Sequence, residues 1–111
     1  MPAHELHLNV DLIMIGRKYP AVHKTLDALQ GLLQSGHREF MHDYNAVQQV
    51  YKQTGDVRQA WSAYYHIILD SLSDSFGKDE CIARLLYFVE RNEIPRFSDR
   101  KLPPKNRFIK G

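Results

Sequence analysis

Apolar residues recur at helical spacing along most of this chain. From Pro20, Val22, Leu26, Leu29 and Leu33 follow at i, i+4, i+7 and i+11, an unbroken stripe on one helix face. Pro20 suits the first helical position, where its missing N–H costs nothing, and Ser35-Gly36 ends the pattern. A second stripe, Phe40, Tyr44, Val47 and Tyr51, predicts a helix from about Arg38 to Lys52 that Thr54-Gly55 stops. Asp56 is placed to cap a third helix with Val57, Trp61, Tyr64, Tyr65, Ile68 and Leu72 inward. After the polar loop Ser71 to Gly77, Asp79 is placed to cap a fourth, with Ile82, Leu85, Leu86 and Val89 inward, ending before Ile94-Pro95.

Residues 5–12 behave differently. Glu5-Leu6-His7-Leu8-Asn9-Val10-Asp11-Leu12 alternates polar and apolar strictly, which predicts a short N-terminal strand, although Leu6, Val10 and Ile13 also fit one helix face. Such a strand would need an edge to pair with, in a second chain or near Phe108-Ile109. Past Pro95 the periodicity stops, three prolines including Pro95 appear, and residues 96–111 read as an extended arm. The expected architecture is mainly α, a bundle of four or five helices over residues 1–95 with that arm attached. Trp61, Tyr44, Tyr51, Tyr64 and Tyr65 give it an aromatic core, whose hydroxyls need partners.

Length and charge sharpen this picture. The 111 residues suffice for one core. The net charge is only +2, yet the arm carries Arg96, Arg100, Lys101, Lys105, Arg107 and Lys110 against Asp99 alone. A mildly acidic body thus bears a basic arm, which is the charge pattern of a nucleic-acid contact through phosphate neutralisation, with Phe97 or Phe108 available to stack on bases. Cys81 is the only cysteine, so an internal disulfide and a thiolate zinc cage are both excluded, and a reducing, cytoplasmic setting is expected. The longest apolar run near the N-terminus, Leu12 to Ile15, is too short for a signal sequence or a membrane span.

The candidate chemistry is concentrated between Tyr19 and Asp43, where His23, His37 and His42 accompany Asp27 and Asp43. His23 and Asp27 stand four apart on one helix face, and His66 and Asp70 repeat the spacing. A histidine and an aspartate so placed can chelate one divalent ion, or the carboxylate can orient the imidazole for it. Measured from Val22, His23 and Asp27 fall roughly 100–140° round the helix, at the border of the buried face. His42 and His66 fall on the far side of their stripes and read as solvent-facing, His66 with Asp70 as a solvated pair. His4 and His7 lie in a short chain end and attract no role. The candidate metal ligands are therefore His23, Asp27, His37 and His42, with metal identity and hydrolytic activity left open. Packed antiparallel, the first two stripes would hold His23 and His37 about 15–20 Å apart. One ion would then need crossed helices, a break from helix between Leu29 and Ser35 near Gly31, or a two-fold dimer.

Tyr19, Val22, His23 and Asp27, followed by His37-Arg38 and His42, resemble the signature Y-x-x-[IV]-H-x-x-x-D … H-R-x-x-x-H of a family of small proteins of unassigned function, many from phages and prophages. Glu93-Ile94-Pro95 resembles a later element of that family, while its serine-lysine after the aspartate and its glycine-aspartate-rich middle are absent. The resemblance implies a metal site and no particular activity. A non-enzymatic protein that covers a partner's surface is the alternative from another class. The order His23 … His42-Asp43 … Asp70 is also similar to that of HD-type metal-dependent phosphohydrolases, in which the ion activates water against a phosphate ester. Here the chain is short for that fold, and Tyr44-Asn45 follows Asp43 in place of an apolar residue and glycine.

Overall fold

The computed structural model of the protein describes residues 4–32 and 43–109. Five α-helices account for most of them: α1 (His4–Met14), α2 (Pro20–Leu32), α3 (Tyr44–Thr54), α4 (Val57–Phe76) and α5 (Cys81–Glu90). There is no strand among the described residues. The predicted strand at residues 5–12 is thus a helix. Its buried residues are His7, Val10 and Asp11, spaced i, i+3, i+4, so two of the residues counted as outward-facing polar positions face inward.

The centre is α4. Every residue from Ala60 to Asp70 is buried, a pattern expected only of a helix enclosed on all sides. Helices α1, α2, α3 and α5 all pack against it. Asp56 caps it as expected, accepting from the Arg58 amide at 2.9 Å. Just before it, Gly55 ends α3 in the left-handed region (φ 65°) and donates its N–H to the Tyr51 carbonyl, a conformation most side chains resist. Helix α5 starts from Glu80 without a side-chain cap, so Asp79 does not play the role expected of it. At its far end Asn92, with φ 62°, makes the left-handed turn more often given to glycine.

The remaining side of α4 is covered by the non-helical segment from Ile94 to Ile109. Trp61 Nε1 donates to the Lys101 carbonyl at 2.9 Å and the Tyr65 hydroxyl to the Pro95 carbonyl at 2.7 Å. The Tyr44 hydroxyl donates to the Pro103 carbonyl, and Asn106 Nδ2 to the Tyr64 hydroxyl at 2.8 Å. Within it, Ile94, Pro103 and Ile109 are buried. The prolines explain the form of this strap: a chain without those N–H groups, and held extended, offers its carbonyls to buried side-chain donors. Burial pushes the phenols of Tyr64 and Tyr65 well above their usual range, so they stay neutral at any physiological pH. Tyr51, expected in the core, is exposed on α3. No helix among the described residues is long and apolar enough to cross a membrane.

Candidate metal centre

Opposite the strap, α4 turns a polar stripe inward: Ser62, His66 and Asp70, at i, i+4 and i+8 on one face. Helix α1 meets it with His7 and Asp11, and α2 with His23 and Asp27. His7, His23 and His66 are each no more than 1% exposed, and each offers a ring nitrogen such that the three lie within 4.8 Å of one another. Together they form a buried cluster that could hold a metal ion.

The contacts around each ring fix its orientation. His23 Nε2 lies 2.6 Å from Asp11 Oδ2, which also accepts from the Tyr19 amide at 2.9 Å. Asp11 Oδ1 accepts from the Ser62 hydroxyl at 2.7 Å. A carboxylate ringed by donors makes Nε2 of His23 the protonated nitrogen and leaves Nδ1 with its lone pair. That Nδ1 stands 2.9 Å from Nδ1 of His66. On the far side of His66, Nε2 faces Asp70 Oδ2 at 3.4 Å and Asp27 Oδ1 at 3.6 Å. His7 Nε2 faces Asp70 Oδ1 at 3.2 Å, and the His7 ring stacks on that of His66 with centroids 3.8 Å apart. Each imidazole is therefore backed by a carboxylate. Two lone pairs cannot face each other at this distance, so one Nδ1 carries a hydrogen and donates to the other, or a metal ion takes that place.

Burial makes this arrangement costly to leave uncompensated. Asp11 and Asp70 are 2% exposed or less, and an ionised carboxylate in such a place needs paired charge and hydrogen bonds. Asp11 has three donors; Asp70 has the imidazoles of His7 and His66. Asp27 is less enclosed, its side chain 38% exposed, and borders the cluster on its solvent side.

The expected ligands divide accordingly. His23 lies at the heart of the cluster and is fully buried, where a border position was expected; Asp27 stands beside it. His37 and His42 lie outside the described residues. Asp43, the aspartate of the HD-like order, is the N-cap of α3 and accepts from the Asn45 amide at 2.9 Å, which accounts for it without a metal. The solvated pair His66 and Asp70 is instead buried at 1% and 2%, because α4 is covered on all sides and no face of it is free for a polar pair. His7 and Asp11 were missed altogether. A signal for them existed: His7 and Asp11 repeat the His-x-x-x-Asp spacing of His23–Asp27 and His66–Asp70, so the motif occurs three times, once on each helix that meets here.

On the opposite side, Arg96, Arg100, Lys101, Lys105 and Arg107 remain exposed on the strap, and Lys110 lies outside the described residues. The aromatic residues that would have stacked on bases are otherwise engaged. Phe97 packs edge-on against Trp61 at 5.9 Å and Phe108 against Phe88 at 4.9 Å. No family model, curated protein or solved structure matches this chain.

Proposed function

We propose that this protein binds one divalent transition-metal ion through His7, His23 and His66, with Asp11, Asp27 and Asp70 as the carboxylates that orient the rings. The observation that carries the reading is the pair of Nδ1 atoms 2.9 Å apart, each on a ring whose other nitrogen faces a carboxylate. Metal-binding imidazoles nearly always show this backing, since it fixes the tautomer and raises the basicity of the ligating nitrogen. Imidazole donors suit zinc, iron, nickel and copper.

The rings also say what binding must involve. His23 and His66 have centroids 5.1 Å apart and lie within 22° of parallel, so they stand nearly end to end, as an N–H···N bond requires. An ion about 2.0–2.1 Å from both nitrogens would subtend roughly 90° at their present separation. The rings must therefore turn as the ion takes the proton's place, and uptake releases that proton to solvent. Exchanging one proton for a divalent ion adds one unit of positive charge beside the buried carboxylates of Asp11 and Asp70.

The test is metal analysis of protein purified without an affinity tag, together with the variants His23→Gln and His66→Gln. One ion of zinc, iron, cobalt, nickel or copper per chain is expected in the parent, and loss of it in both variants with helix content retained. No metal in the parent after incubation with each ion, or unchanged content in the variants, would contradict the reading.

A further inference from the structure

Three nitrogen donors leave the coordination of such an ion incomplete, and among the described residues the next imidazole outward is His4; the inference that follows rests on the metal reading above. His4 opens α1 and stands one turn before His7, so the two share a helix face with Asp11. Its ring lies 5.9 Å from that of His23, centroid to centroid, and meets it edge-on at 83°. His7, His23 and His66 are enclosed, whereas His4 is half-buried, with one side toward solvent.

We propose that His4 is the fourth ligand of the ion and the residue past which the ion enters and leaves. Two features single it out. The first is position: His4 lies in the first turn of a helix, where the backbone N–H groups lack partners four residues back, so this turn can adjust while the rest of α1 stays packed. The second is the contrast in surroundings. The three enclosed rings are held by Asp11, Asp70 and one another, but His4 is only half-buried, with the His23 ring against it edge-on. A ligand that is near the ion and only partly enclosed is the one that can swing aside. With it in place the ion has four nitrogen donors and is closed to water, as four-coordinate structural zinc sites are. With it displaced, a position opens to water or another small donor, as catalytic sites require.

The experiment uses cobalt(II) as the probe, because its visible absorption reports coordination number. The parent and the variant His4→Ala are loaded with cobalt(II), and azide is then added as a small exogenous donor. The proposal expects the strong absorption of a four-coordinate ion in the parent, indifferent to azide. It expects a weaker, altered spectrum in His4→Ala that shifts on adding azide. Loss of cobalt to a chelator should be faster in His4→Ala, with affinity lower by about 10–100-fold, the range seen when even a supporting residue is removed. His4→Asp, which returns a donor atom, should restore part of the loss, and circular dichroism should find equal helix in all three proteins. Identical spectra, azide response and release in the parent and His4→Ala would overturn this proposal and leave the three-histidine site standing. A parent that takes up no cobalt would overturn both.

Discussion

Replacing Asp11 by Asn is the most informative single change at the candidate site. The side chains are the same size, so the effect is of charge alone. Asp11 accepts from His23 Nε2, the Tyr19 amide and the Ser62 hydroxyl at 2.6, 2.9 and 2.7 Å. The amide oxygen of Asn can keep the first two donors, and the amide nitrogen can donate to Ser62 once that hydroxyl turns. All three bonds survive, but each loses its ionic partner. Hydrogen bonds to a charged group contribute about 1.5–3 kcal/mol against about 0.5–1.5 for neutral ones. Losing about 1 kcal/mol on each of two or three bonds makes a cost of roughly 2–3 kcal/mol. For a chain of this length that lowers the melting temperature by about 8–15 °C. Metal affinity should fall by about 10–100-fold, the range seen when the partner behind a ligating histidine is changed. Thermal melts followed by circular dichroism and competition against a chromophoric chelator measure the two effects separately. A variant with unchanged melting temperature and unchanged affinity would refute the claim that Asp11 holds His23 for an ion. A fall in stability alone would assign Asp11 to folding only.

Other parts of the structure make further predictions. Ending the chain at Pro95 should strongly destabilise the fold, since it leaves Trp61 Nε1 and the Tyr44 hydroxyl without their carbonyl partners and uncovers the Trp61 face. Each orphaned buried donor costs about 1–3 kcal/mol, and tryptophan emission should move to longer wavelength; an unchanged melt and spectrum would contradict the strap's role. Gly55→Ala should cost about 1 kcal/mol in chemical denaturation, because Gly55 has φ 65° and the space around it is open, so strain is the whole effect; no change would count against it. Burial pushes the Cys81 thiol above its usual range, so at pH 8 less of it is thiolate than in free cysteine. Thiol reagents should therefore modify it slowly in the native protein and quickly in denaturant, and equal rates would refute its burial.

The sequence announced the helices better than it announced the site. The stripe through Trp61, Tyr65, Ile68 and Leu72 marked α4, and Asp56 and Gly55 marked its start and the end of α3, because local chemistry decides all of these. Helical angles failed where a helix has no outer face. On α4 they sent His66 and Asp70 to solvent, although α1 and α2 cover that side. The same assumption, that polar residues point outward, turned His7 and Asp11 into the alternating half of a strand. What brings the three His-x-x-x-Asp pairs together is the packing of α1, α2 and α4, which lies in no single segment of the chain. The basic arm was legible as extended, but the carbonyl partners that tie it to Trp61, Tyr44 and Tyr65 were not, since those bonds span 30 to 59 residues.

The central claim is that a metal ion belongs among His7, His23 and His66, and anomalous diffraction tests it most directly. Crystals soaked in zinc, with data collected on both sides of the zinc edge, should give one strong anomalous peak about 2.0–2.1 Å from a ring nitrogen of each of these three histidines. The His23 and His66 rings should be turned from their end-to-end arrangement. A peak at His37 or His42 instead, or no peak with the two Nδ1 atoms still 2.9 Å apart, would contradict the account.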